Sequence, residues 1–354
     1  MSIVRTPTRV VALAAAVLLA LAIAVPVSAE PTSVPGGPYA PEAQGEPNRS
    51  SNLSFEEIEE ELLHLEQRSR GALDVEQVGT SGEGRPLYTA KIGDGDTRMW
   101  IQGRIHGDEP YGAEASLELL KRLIAGGGNA GDVLEEITFM VVPIYNPDGS
   151  EEYQRGDVVE GIDLNRDWVD FQATESRAFW YAWQDFRPHY AIDIHHQGMN
   201  HQGAYYEGDS NRMSTFSVGI SLSEDSLDGD HRYDAIRQMG VVAAEAAGKR
   251  GNVNPTRYFP IDIPEGVVSA MLLGSPGPEG EDPDWETAGM FFESRGGIDQ
   301  KSRGYLIGQN TDALWGVIDA VAADELDDVD PDAYWDIPPR GAAITPSDKF
   351  PQEY

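Results

Sequence analysis

The chain has 354 residues, 40% of them hydrophobic, with 26 Lys+Arg against 60 Asp+Glu for a net charge of −34, and no cysteine. That hydrophobic content supports a folded core and argues against wholesale disorder. The lack of cysteine excludes disulfides, iron–sulfur sites, thiol nucleophiles and Cys-ligated zinc, and the acidity excludes nucleic acid as a partner because phosphate is repelled.

Arg5 and Arg9, the apolar run from Val10 to Val25 and the small-residue site Val27-Ser28-Ala29 read as a signal peptide over residues 1–29. The expectation is a secreted, extracellular protein with no stable membrane insertion after cleavage. An uncleaved anchor is the alternative, disfavoured because the run is short for a spanning helix. Residues 30–51, rich in Pro, Gly, Ser and Glu, read as a flexible linker or short pro-segment. Only five of the basic residues are lysines. Many acids with few lysines suit a chain that stays soluble in high salt, although an ordinary acidic secreted protein has the same composition.

Order is expected from Ser54-Phe55-Glu56-Glu57, a capping box opening an acidic amphipathic helix. Strands are expected at Met99–Ile105, Ile137–Ile144, Tyr190–Ile194 and Met290–Glu293. Helices are expected at Ala113–Ile124, Thr174–Phe186, Tyr233–Lys249 and Thr311–Ala323. This alternation predicts an α/β fold, a mixed and mostly parallel central sheet with helices on both faces, with functional residues in the loops at strand ends. Residues 324–354 form an acidic, proline-rich tail whose docking the sequence leaves open.

Without cysteine, a metal must be held by His, Asp and Glu. His106 and Glu109 in GRIHGDEP are three residues apart after a predicted strand, so both can reach one cation. In Asp193-Ile194-His195-His196, the two-residue strand period puts Asp193 and His195 on one face and His196 on the other. A histidine at that strand end could add a third ligand, and two His with one Glu leave a position open for water. Asn146-Pro147-Asp148-Gly149 is a turn signal after a strand. Asn165-Arg166 sets an amide beside a guanidinium, a pair able to clamp a carboxylate. Glu293, ending an apolar strand, suits a base near a metal-bound water.

In this order the motifs resemble the zinc metallocarboxypeptidases of the carboxypeptidase A/B type, over roughly residues 54–323. The segment Gly79–Leu87 (GTSGEGRPL) resembles that family's early segment as well. The resemblance implies a catalytic domain at 52–323 holding one Zn2+ per chain on His106, Glu109 and His195. It implies Asp163 as the carboxylate behind the first zinc histidine, and Asn165 and Arg166 as the clamp on the substrate's C-terminal carboxylate. His196 is expected to line the groove, Arg155 to stabilise the oxyanion and Glu293 to act as general base. The implied activity is hydrolysis of the last peptide bond of peptides with a free C-terminus. Two departures stand out: the stretch Gly274–Gly289 contains no tyrosine to lie over the substrate, so that either Trp285 or nothing takes that place, and Arg155 is not quite at the usual spacing from Gly161. Rival readings are a peptidase of cell-wall muropeptides, a deacylase of N-acyl amino acids and, less favoured, a non-catalytic carboxylate-binding module.

Overall fold

Helix α1 (Phe55–Ser69) begins where the capping box places it. The Ser54 hydroxyl accepts from the Glu57 N–H, and the Glu57 carboxylate accepts from the Ser54 N–H. Its buried residues Phe55, Ile58, Leu62 and Leu65 recur at three- and four-residue spacing, which turns one stripe to the core. The computed structural model describes residues 33–34, 37–38, 52–196, 204–206, 209–214, 216–220, 231–250, 255–258, 287–294 and 303–343. The leader 1–29, most of the linker, His201, residues 259–286 with Trp285, Arg295 and residues 344–354 lie outside the described residues. Residues 33–34 (β1) and 37–38 (β2) form a two-residue antiparallel pairing. Among the described residues no helix is long and apolar enough to cross a membrane.

The hairpin β3 (Leu73–Thr80) and β4 (Pro86–Ile92) leads into β5 (Thr97–Gly103), α2 (Tyr111–Ala125), α3 (Ala130–Glu136) and β6 (Ile137–Val142). Then come α4 (Pro147–Glu152), α5 (Thr174–Phe186) and β7 (Tyr190–His196). The later elements are β8 (Ala204–Tyr206), β9 (Asp209–Ser214), β10 (Phe216–Ile220), α6 (His231–Gly248), β11 (Pro255–Arg257) and β12 (Ala288–Ser294). Helices α7 (Arg303–Ala322) and α8 (Ala333–Asp336) and strand β13 (Arg340–Ala343) complete the order. Eight strands make one sheet in the order β11-β10-β12-β7-β5-β6-β4-β3. Pairings β11–β10, β12–β7, β7–β5 and β5–β6 are parallel, and β10–β12, β6–β4 and β4–β3 are antiparallel. The expected mixed, mostly parallel sheet is the one observed. Strands β8, β9 and β13 form a separate antiparallel sheet.

The two faces of the sheet carry different cores. On β5, Met99 and Ile101 join the aliphatic core with α1, α2, α6 and α7, while Trp100 turns to the opposite face. There it meets Trp183 edge-on with ring centroids 5.3 Å apart, within a cluster that includes Tyr145, Trp168, Phe179 and Phe186. Each such large side chain contributes roughly 2–3 kcal/mol on burial. Strand β7 obeys the same alternation. Ala191 belongs to the aromatic face and Ile192 and Ile194 to the aliphatic face, which fixes where Asp193, His195 and His196 point.

The acidic stretch from Asp324 onward docks as far as it is described. Leu326 and Tyr334 join the main core. The Tyr334 hydroxyl donates to the Val218 carbonyl at 3.3 Å, and its ring lies on Gly240, where an added Cβ would come within 2.7 Å of it. Gln238 reaches the Val329 carbonyl at 2.9 Å, and Arg237 pairs with Asp332 at 2.7 Å. Tyr334→Ala is therefore expected to cost about 3–5 kcal/mol in urea unfolding and Tyr334→Phe about 1 kcal/mol, because only the first removes the ring.

Candidate metal centre

Parallel neighbours deliver their loops to the same edge of a sheet. Strands β5 and β7 are such a pair, with Gly103 opposite Ile194 at their C-terminal ends. Past Gly103 the chain turns through Arg104, a buried residue in the left-handed region at φ 55°. Its guanidinium donates to the carbonyls of Gly107 (3.1 Å), Leu53 (3.0 Å) and Ser150 (3.2 Å), tying the loop to the start of α1 and to α4. Gly107 packs directly on Gly149, and a Cβ at Gly107 would lie 2.0 Å from the Gly149 carbonyl carbon. The NPDG segment forms more than a turn: Asn146 caps α4, accepting from the Gly149 N–H at 2.8 Å. Together these contacts fix the loop that carries His106 and Glu109.

Three side chains converge there. His106 Nδ1 lies 2.8 Å from Glu109 Oε1 and 3.2 Å from His195 Nδ1, and His195 Nδ1 lies 3.1 Å from Glu109 Oε2. All three side chains are buried. Zinc donors about 2.0–2.1 Å from a tetrahedral centre stand roughly 3.3 Å from one another, so this spacing and this donor set fit zinc. The outer nitrogens are also held: His106 Nε2 faces Asp163 Oδ1 at 3.2 Å, and His195 Nε2 faces Asp193 Oδ2 at 2.8 Å. A carboxylate behind each imidazole orients the ring and directs its inner nitrogen to the metal.

Charge follows the same geometry. Burial alone would push both histidines down. Glu109 and Asp163 reverse that for His106, and Asp193 and Glu109 raise His195 well above its ordinary value. Burial would raise Glu109, but the two histidines hold it well below the carboxylate range. Burial would also raise Asp163, and there the His106 hydrogen bond with the charges of His106, Arg155 and Arg166 wins, leaving it below its usual range. Arg155, half-exposed, donates from Nε to Asp163 Oδ2 at 3.0 Å and sets Nη1 3.3 Å from His106 Nδ1. Its guanidinium thus overlooks the cluster.

Strand β12 lies parallel beside β7 with Glu293 opposite His195, so the two share a face at the same sheet edge. Burial and the charge of Glu109 push Glu293 upward, against the pull of His195, Arg340 and His106. Asp163 opens a short 3-10 turn whose Asn165 is buried and whose Arg166 is exposed. Arg166 Nη1 donates to the Asn165 carbonyl at 2.7 Å. His196 is placed differently from the groove position expected of it. It points to the opposite face of the sheet, is buried, and packs its ring 4.8 Å from that of Tyr111. Its backbone N–H does reach the cluster, donating to Glu109 Oε2 at 3.0 Å. Two contributors escaped the sequence reading. Asp193 was visible as the same-face neighbour of His195 but had no role assigned, and Arg104 gave no signal at all.

A histidine must give up its proton to bind zinc through that nitrogen, so protons and metal compete for the inner nitrogens of His106 and His195. Zinc affinity is therefore expected to fall as pH drops below neutrality. Calorimetry in buffers of different ionisation enthalpy should show proton release on binding. Asp163→Asn, which weakens the support of His106, should loosen zinc by about 10–100-fold against a competing chelator.

Comparison with known proteins agrees with this geometry. Residues 58–197 match the family model described as zinc carboxypeptidase. A probable carboxypeptidase 2 of Arthroderma benhamiae is 39% identical over 98 residues, which are 28% of this chain and 18% of that protein. Mouse carboxypeptidase D is 25% identical over 167 residues, covering 42% of this chain and 12% of that protein. The chain thus spans less than a fifth of the length of these curated relatives. Among solved structures, a metallo-carboxypeptidase from Burkholderia cenocepacia superposes with a TM-score of 0.58 at 18% identity, over 77% of this chain and 70% of that one. Thrombin activatable fibrinolysis inhibitor gives 0.60 at 16% identity, over 77% and 75%. The chain is similar in sequence to the zinc carboxypeptidase family over residues 58–197, and over about three quarters of its length it has the fold of solved metallocarboxypeptidases.

Proposed function

We propose that the protein is a secreted zinc-dependent carboxypeptidase that removes C-terminal residues from peptides, with one zinc ion per chain. The observation that carries this reading is the convergence of His106, Glu109 and His195 donor atoms within 3.2 Å of one another, beside the Arg155 guanidinium. A zinc ion held by these three residues would supply Lewis acidity and bring the pKa of a bound water down to about 7.

The chain's own residues do the rest. Glu293, raised by burial and by Glu109, accepts the proton of the attacking water and passes it to the leaving amine. Arg155, oriented by Asp163, donates to the carbonyl oxygen as it gains negative charge. Arg166 and Asn165 hold the substrate's terminal carboxylate, which sets the scissile bond in register and limits release to one residue at a time. His196 contributes its backbone N–H to Glu109 in this scheme. Export rests on the leader over residues 1–29, and the N-terminus of the secreted protein is expected at Glu30 by Edman sequencing.

The decisive assay is mass spectrometry of a peptide library after incubation with the purified protein. Stepwise loss of C-terminal residues is expected, with C-terminally amidated peptides resistant. Glu293→Gln should lower kcat by about a thousandfold while leaving the zinc content unchanged. Arg166→Gln should act mainly on KM, reducing kcat/KM by about 10–100-fold, the worth of a charge-assisted hydrogen bond to the terminal carboxylate. Intact peptides together with cleavage of muropeptides or N-acyl amino acids would overturn the peptide substrate.

A further inference from the structure

The segment Gly79–Leu87 and the aspartate of NPDG meet in a second cluster that the proposed reaction does not use. The turn between β3 and β4 wraps Asp148. Ser81 Oγ donates to its Oδ1 at 2.7 Å, Arg85 Nη1 to the same oxygen at 2.7 Å, and the Glu83 N–H to its Oδ2 at 2.8 Å. Asp157 and Glu175 stand beside it, with one oxygen from each of the three residues within 4.8 Å of the others. None of the three is more than 1% exposed.

A cluster of acids can be satisfied internally, and here it is not. Asp157 Oδ2 accepts from the Glu160 N–H at 2.6 Å, but Asp157 Oδ1 is shielded from solvent and has no donor. That oxygen lies beside Gly82, where an added Cβ would sit 3.6 Å from it, and the Gly82 N–H donates to Glu175 Oε1 at 3.3 Å. A bare carboxylate oxygen in a buried setting needs a positive partner. Arg85 is the guanidinium in contact, and it is shared with Glu83. With Glu83 included, four carboxylates stand against one guanidinium, an excess of negative charge that a divalent cation reduces. The donors are all oxygen, so the cation is a hard one: Asp157 Oδ1 is its open ligand, and the Asp148 and Glu175 oxygens, each already accepting a hydrogen bond, would add ligands through their remaining lone pairs to a calcium ion, which takes six to eight oxygens at about 2.3–2.6 Å.

We propose that Asp148, Asp157 and Glu175 form a calcium site distinct from the His106–Glu109–His195 cluster. Its place in the chain gives it a purpose. Asp157 lies in the loop from Arg155 to Asp163, whose two end residues both touch His106. The loop is pinned by the Asp157 N–H to the Ile162 carbonyl at 2.7 Å and by Asn146 Nδ2 to the Gly156 carbonyl at 3.0 Å. Calcium between Asp157 and the two acids of α4 and α5 fastens this loop to the body of the protein. Glu175 is raised by burial and by the nearby Asp157 charge, so a proton on Glu175 is the competing way to relieve the same strain.

The test is calorimetric titration of calcium chloride into the full chain, with equimolar zinc present so that the histidine site is filled. Binding of one calcium is expected, with the melting temperature rising by about 4 °C at a hundred times the dissociation constant. Asp157→Asn and Glu175→Gln should each weaken binding at least tenfold. Hydrogen exchange on the wild-type protein gives a readout free of folding defects: calcium should protect the amides of 81–85 and 155–163. Absence of binding up to about 10 mM calcium overturns the proposal in favour of a proton on Glu175. Protection confined to other segments, or unchanged binding in both variants, overturns it in favour of loose association with the acidic surface.

Discussion

Two imidazole nitrogens and a carboxylate, packed within 3.2 Å of one another inside the protein, repel unless protons or a cation lie between them. That constraint governs the surrounding structure. Asp163 and Asp193 hold the outer nitrogens, and Arg104 holds the loop by three backbone carbonyls. Gly107 and Gly149 supply a backbone-to-backbone contact that no side chain could occupy. Each feature spends conformational freedom to keep the donors converged. A site so preorganised needs little rearrangement when a cation enters, and this is what makes it suited to chemistry as well as to binding.

The sheet provides the frame. Because β12, β7, β5 and β6 are parallel neighbours, their C-terminal ends share one edge, and the His106 loop, His195 and Glu293 all emerge there. The strand period then sorts the faces. Asp193, His195 and Glu293 share the face that carries Trp100 and Ala191, while His196 turns to the helix side against Tyr111. Neighbouring histidines in one strand therefore have different surroundings, and the proposed reaction uses the imidazole of one and the backbone of the other.

Unlike the edge that carries the histidines, the acidic cluster of Asp148, Asp157 and Glu175 belongs to the connections between elements. Asp148 sits in the short helix after β6, Glu175 in the first turn of α5, and Asp157 in the loop that presents Arg155 and Asp163. Loops that carry function are often the least stable parts of a fold, and tethering this one at Asp157, two residues from Arg155, restricts it beside its working residues. The proposed carboxypeptidase chemistry and the proposed calcium site thus meet in a single loop, one using Arg155 and Asp163 at its ends and the other Asp157 between them.

What the sequence determined by itself is what local rules encode. The capping box set the start of α1, a 3.6-residue pattern set the helices, and alternation set β7 with Asp193 and His195 on one face. The His-x-x-Glu spacing was enough to mark His106 and Glu109, since three residues on a turn bring both side chains to one point. The hairpin β3–β4 and the short strand β10 were not legible, because their apolar residues alternate weakly or run too short to stand out. Only the tertiary structure decided that the acidic tail docks through Leu326 and Tyr334, that Arg155 reaches both Asp163 and His106, and that Asp157 joins Asp148 and Glu175. Nor could the left-handed Arg104 be foreseen, since its three carbonyl partners come from segments up to 51 residues away in the chain. Periodicity and spacing act within a few residues of backbone and are written in the local sequence. Which distant segments cross depends on the order of strands in the sheet, a property of the whole chain that no single stretch of it carries.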